Sequence, residues 1–251
     1  NYILTKIIII LQNYSNYYAK PKKIFSCNSD ILDIYCKRYK ISKETVIPIH
    51  SFDYDTYLDI LENNAGKSYS NNKSAVFIDN CQIEDPFFND YYKYSPINKD
   101  NYYKSLNVLF DKIENELDLK VLIAAHPRVT NLDTSMVGGR DVIYGNTAKY
   151  VSMCDLVICH DTTAISFPVL FKKPIIIAAT MDMTSIILKK IANNLELPII
   201  YMDDKIFMNK LDLKEYINIK VNYTNYLYRY IMSKRANPNI KTWEIVESMI
   251  D

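Results

Sequence analysis

Glycine is scarce in this chain of 251 residues, occurring only at Gly66, Gly138, Gly139 and Gly145. These four cannot be assembled into GxGxxG or GxxxxGK[ST], which excludes the dinucleotide fingerprint and the P-loop. Gly-x-Ser-x-Gly is equally absent, so no nucleophile elbow is present. Histidine is rarer still, with three residues, and none falls in HxxxH or HExxH. The five cysteines, at 27, 36, 81, 154 and 159, form no CxxC pair. A protein-held metal is therefore not expected, and neither is a disulfide scaffold; the cysteine usage reads as a reducing compartment.

Charge of either sign is not in excess. Thirty basic residues against twenty-nine acidic ones leave a formal charge of +1, without the electrostatic footprint of a nucleic-acid binder. Lys20, Lys22 and Lys23 form a local basic cluster that reads as a solvated face or an anionic contact. No apolar run approaches the ~20 residues that span a bilayer. The stretch ILTKIIIILQNY is too short to span and lacks a small-residue cleavage site. The chain opens at Asn1 as though in mid-domain, which leaves room for an upstream segment.

What is present is a repeated alternation of short apolar runs with helical patterns. After the polar stretch 61–74, the best linker, strands are expected at 75–79, 120–125, 155–159, 174–179 and 198–202. Helices are expected at 101–116, 147–153, 164–171 and 185–194, with terminal ones at 222–233 and 241–250. Upstream lie an apolar run at 7–11, a strand at 23–26, a capped helix at 30–39, and TVIPIHSFDYD, another strand leaving a sheet. Short, wholly apolar strands separated by helices imply an α/β fold with a parallel sheet covered on both faces. The expected division is a partial α/β portion over 1–60, a linker over 61–74, a main domain over 75–221 and C-terminal helices over 222–251 that cross back.

Ligands meet such sheets at the carboxyl ends of their strands. Two of the three histidines stand there, His126 after KVLIAA and His160 after DLVIC. Pro127 biases His126 toward extended backbone, and Arg128 adds a permanent charge suited to phosphate or carboxylate. His126 could donate to a phosphate or sugar hydroxyl, move a proton, or serve as a satisfied structural histidine. His160, Asp161, Thr162 and Thr163 lie between a strand and a helix, where first-turn amides and hydroxyls suit an anion, or where Asp161 or Thr162 simply caps. Asp161 could instead hold His160 in one tautomer. Ser166 could act as a nucleophile but reads more economically as a ligand or packing hydroxyl, and Pro168 places the helix entrance close by. Asp79, ending AVFID, could bind a hydroxyl, act as a base or satisfy turn amides. The paired tyrosines of NDYYKYSP and NKDNYYKS suit a sugar platform or a helix–core contact.

Taken together, VFIDN, VLIAAHPR and DLVICHDTTAISFPVLFKKPIII resemble the carboxyl-terminal half of GT-B glycosyltransferases that build bacterial surface polysaccharide. The similarity is to the group of bacterial sialyltransferases, polysialyltransferases and CDP-glycerol polymer transferases, and it covers residues 75–205 most clearly. It implies a GT-B-like fold, a Rossmann-like parallel sheet domain plus a smaller or incomplete α/β portion. It also implies transfer from a nucleotide sugar, with CMP-sialic acid among the donors, to a glycan or glycolipid of capsule or lipopolysaccharide. No tightly bound cofactor is implied. By this resemblance His126 and Pro127 match a histidine–proline motif at the donor phosphates, and Thr162 and Thr163 match a hydroxyl pair. His160 with Asp161 departs from the simplest form of that pair. A cytoplasmic enzyme working beside the inner membrane through peripheral contact, with a homo-oligomer left open, fits the same group. A sugar-nucleotide epimerase and a noncatalytic nucleotide-sugar-binding or scaffold protein are the alternatives.

Overall fold

The computed structural model describes residues 23–27, 32, 36–37, 41–64, 73–81, 83, 97–183 and 185–250. The apolar run at 7–11, nearly all of the helix expected at 30–39, the first tyrosine pair, Lys20 and Lys22 lie outside them. The chain divides into two compact units. One comprises Asn1–Asp55 with Tyr228–Asp251, and the other is Thr56–Leu227.

In the first unit β1 (Ile24–Ser26) and β2 (Val46–Pro48) pair in parallel, with Ile24 opposite Val46. Helix α1 (Phe52–Asn64) follows β2, so residues 61–64 of the expected linker are its last turn. Asp55 accepts from the backbone N–H groups of Thr242 at 2.6 Å and Trp243 at 3.2 Å. It thereby satisfies donors at the N-terminus of the last helix (Thr242–Glu247), where no intrahelical acceptor exists and a negative charge is favoured.

The second unit carries one six-stranded parallel sheet: β3 (Ser74–Ile78), β4 (Lys120–Ala125), β5 (Val142–Tyr144), β6 (Leu156–Cys159), β7 (Ile175–Ala179) and β8 (Ile199–Tyr201). All five strands expected here from the sequence are found. The sixth, β5, was not anticipated, because three half-exposed residues at a sheet edge carry no readable periodicity. The order across the sheet is β5-β4-β3-β6-β7-β8. Chain order therefore runs outward from β3 in one direction, then restarts beside it and runs in the other. This is the doubly wound arrangement, with its switch point at β3.

Helix α2 (Lys99–Leu117) connects β3 to β4 and buries Tyr102, Leu106, Leu109, Phe110 and Ile113, all at helical spacing. Helices α3 (Thr147–Met153), α4 (Ser166–Leu170) and α5 (Ile186–Leu195) precede β6, β7 and β8. Pro168 occupies the first turn of α4, where its missing N–H costs nothing. Short helices α6 (Lys205–Lys210), α7 (Leu213–Ile217) and α8 (Tyr223–Tyr226) follow β8, and the last helix of the chain is α9 (Thr242–Glu247). The single helix expected over 222–233 is instead α8 running into a π-helical turn, Leu227–Ile231.

The loop that leaves β4 through His126 is pinned at its far end by Arg140. Its guanidinium donates to Asp111 at 2.5 Å, to Glu114 at 2.7 Å and 3.2 Å and to Asn107 at 2.9 Å, and lies 5.2 Å from the centre of the Phe110 ring. Asn107 in turn donates to the carbonyl of Met136. Gly138 has φ +66°, and a Cβ there would stand 2.6 Å from the Arg140 guanidinium, so both backbone conformation and space require glycine. Replacing Arg140 by alanine should lower stability by about 2–3 kcal/mol. Arg140→Lys should recover only part of this, because an ammonium lacks the planar fork. Urea denaturation of both variants checks the expectation.

Candidate functional site

Register fixes which residues share the carboxyl edge of the sheet. Ile78 of β3 stands opposite Ala124 of β4 and Cys159 of β6. The residues just beyond these three strands, Asp79 and Asn80, His126, and His160 with Asp161, therefore emerge side by side at the switch point. The sequence placed His126 and His160 at this edge, and the fold gives them different surroundings.

His126 is half-buried, and its Nδ1 accepts the backbone N–H of Arg128 at 3.2 Å. The neutral ring therefore carries its proton on Nε2, a donor available to a ligand. The His126 carbonyl accepts from Val129 at 2.8 Å, closing the turn, and Pro127 and Arg128 are exposed on it.

His160 is fully enclosed. Its Nδ1 lies 2.6 Å from the carbonyl oxygen of Ala178 on β7, and its Nε2 lies 2.9 Å from the hydroxyl of Tyr102 on α2. A carbonyl can only accept, so Nδ1 holds the proton and Nε2 accepts from Tyr102. The ring also packs edge-on against Phe77 at 5.2 Å. Burial pushes its pKa down, against the opposing pull of the Ala178 hydrogen bond and of Asp79 and Asp161. Burial likewise pushes the Tyr102 hydroxyl well up. Both nitrogens are thus engaged with the protein, and the imidazole ties α2, β6 and β7 together instead of facing a ligand.

The remaining residues divide in the same way. Asp79 extends the ladder by donating its N–H to Ala124, and its carboxylate accepts the N–H of Cys81 at 3.0 Å, stabilising a turn in which Cys81 has φ +58°. Its geometry matches the turn-making alternative. Asp161 accepts from the Asn80 amide at 3.0 Å. Thr162 caps the 3₁₀ turn Thr163–Ile165 by accepting from Ala164 at 3.2 Å. Ser166 is buried and donates to the carbonyl of Thr163 at 2.8 Å, while Thr163 itself is exposed. The sequence reading missed Tyr102 as a polar partner and Asn80 altogether. The amide closing AVFIDN was the only signal for Asn80.

The third histidine repeats this placement in the first unit. His50, just beyond β2, is fully buried and donates from Nε2 to Asn237 at 3.1 Å, while Nδ1 has no partner. Among the described residues, no three His, Cys, Asp or Glu side chains are placed to share a metal ion. No described helix is long and apolar enough to cross a membrane.

No family model and no curated protein sequence matches this chain. Solved structures do. The Wall Teichoic Acid Polymerase TagF matches with TM-score 0.53 at 14% identity, over 92% of this chain and 59% of that one. A TagF variant matches with TM-score 0.53 at 15% identity, over 92% and 60%. A TagF variant soaked with CDPG matches with TM-score 0.51 at 14% identity, over 92% and 58%. At this identity the likeness concerns the fold, which is GT-B-like, with two parallel sheets flanked by helices. The chain spans about three fifths of the length of these TagF chains.

The enclosed His160 should make stability depend on pH. Its folded pKa lies below the unfolded one, so the unfolded chain binds the extra proton. The contribution is complete above the unfolded value of about 6.5 and is lost as pH falls below it. The unfolding midpoint in urea should therefore decrease from pH 7.5 to pH 5. In His160→Gln, which keeps a donor and an acceptor without a titrating ring, this part of the slope should vanish.

Proposed function

We propose that this chain is the donor-binding part of a nucleotide-donor-dependent transferase that builds a bacterial surface glycan or polyol-phosphate polymer. The observation that carries the reading is His126, whose protonated Nε2 is offered at the strand exit beside the switch point of a doubly wound sheet. The GT-B-like fold supports it, as does the likeness to a wall teichoic acid polymerase studied with CDPG. For that reason CDP-glycerol is the donor to test first, ahead of the CMP-sialic acid that the sequence resemblance suggested.

The chemistry asked of this site is stabilisation of a departing nucleotide. An acceptor hydroxyl, releasing its proton to solvent, forms a new bond to the transferred group, at phosphorus for CDP-glycerol or at the anomeric carbon for a nucleotide sugar. As the bond to the nucleotide breaks, negative charge grows on the leaving phosphate. The Nε2–H of His126 donates to that charge, with the Arg128 guanidinium two residues on and the exposed Thr163 hydroxyl on the loop that leaves β6. Thr162, Ser166 and His160 hold the latter loop in place. The Asp161 carboxylate repels phosphate and suits a hydroxyl instead. Peripheral contact with the cytoplasmic face of the inner membrane belongs to this reading, and flotation with anionic liposomes at low and high salt tests it.

His126→Ala should reduce transfer by about 10²-fold while leaving the urea midpoint nearly unchanged. Thr163→Ala should weaken nucleotide binding by about 1 kcal/mol, since one exposed hydroxyl is removed. Calorimetric titration with CMP, CDP, UDP and GDP, beside transfer assays with CDP-glycerol and CMP-sialic acid, provides the measurement. Full turnover by folded His126→Ala, or nucleotide protecting neither loop from hydrogen exchange, would sink the reading.

A further inference from the structure

Asn80 stands immediately beyond β3, the strand at which the sheet order reverses. Its Nδ2 donates to Asp161 Oδ1 at 3.0 Å. A carboxylate only accepts, so this bond fixes which end of the amide is nitrogen and which is oxygen. The Oδ1 atom is consequently held in one direction, and there it is buried with no hydrogen-bond partner. Buried acceptors in native proteins almost always find a donor, and one left open at a switch point marks a place for a ligand's donor.

The character of that donor follows from its surroundings. A carbonyl oxygen beside the Asp161 carboxylate repels phosphate, so the group must be a hydroxyl or an amine. Position narrows the choice. The phosphate donor His126 leaves β4, and Asn80 leaves the neighbouring strand, about 4.8 Å away across the sheet. In a nucleotide the group one linkage away from the phosphate is the ribose, while the base lies beyond it. We propose that Asn80 Oδ1 accepts a hydrogen bond from a ribose hydroxyl of the bound nucleotide, which makes Asn80 a specificity residue for ribonucleotide donors. This rests on the nucleotide reading given above. Asp161 then acts as a positioning residue, since it sets the direction of the Asn80 amide.

The test is a calorimetric cycle on the intact chain. CDP, UDP and their 2′-deoxy and 3′-deoxy counterparts are titrated into the native protein, Asn80→Ala and Asn80→Ser, with a melting curve for each variant. The native protein should lose about tenfold in affinity when the contacted hydroxyl is removed. Asn80→Ala should bind the ribo- and deoxynucleotides alike. Equal affinity of the native protein for both forms, or a parallel loss in the native and variant proteins, overturns the proposal and leaves the nucleotide reading standing. Loss in Asn80→Ala of a preference between CDP and UDP, with the deoxy effect intact, overturns it in favour of the base amine. No binding of any nucleotide to the native protein defeats the nucleotide reading and this proposal together. If Asn80→Ala does not fold, Asn80→Ser and the native deoxynucleotide comparison decide the matter.

Discussion

A neutral imidazole sealed inside the second unit sets the geometry of the sheet's carboxyl edge. His160 can satisfy Ala178 and Tyr102 at once only in the tautomer with its proton on Nδ1, and only while uncharged. Those two bonds join the end of β6 to β7 and to the first turns of α2. The backbone that continues from His160 carries Asp161 and Thr162, so their positions follow from the ring. Phe77 packs against the same imidazole and against Phe110, which carries the constraint into the core beneath β3. A histidine that sequence alone offered as a ligand thus acts as the internal brace of the site.

Around that brace the edge has two chemically opposite sides. Beyond β4, His126 offers a donor and Arg128 adds another from the same loop. At β3 and β6, Asn80 and Asp161 present oxygen, with the Asp79 carboxylate committed to its turn. Under the function proposed above, this arrangement serves to distinguish the anionic part of a nucleotide from its hydroxyl-bearing part by hydrogen-bond polarity, without glycine-rich backbone. The Arg140 network adds rigidity where it is useful, anchoring to α2 the loop that begins at His126.

Much of the architecture was legible because buried parallel strands leave a plain signature. SAVFI, LVIC and IIIAA are buried on every residue, so continuous apolar runs replace alternation and announce a sheet covered on both sides. The positions His126, His160 and Asp161 could be assigned to one edge by counting from the ends of these runs. β5 escaped notice because three residues at a sheet edge have no period to detect. The π-helical turn after α8 escaped because a single turn of five residues is too short to show a period of its own.

Fold class, strand exits and the kinds of side chain available there can be read along the chain. Local composition and periodicity carry that information, since strands and helices each repeat at their own short interval. The roles emerge only in three dimensions. Whether His160 meets a ligand or Tyr102 depends on a residue 58 positions away. Whether the Asn80 amide points its oxygen or its nitrogen inward depends on Asp161, 81 positions away. Hydrogen-bond direction and burial are properties of such pairs, and no window along the chain contains both members.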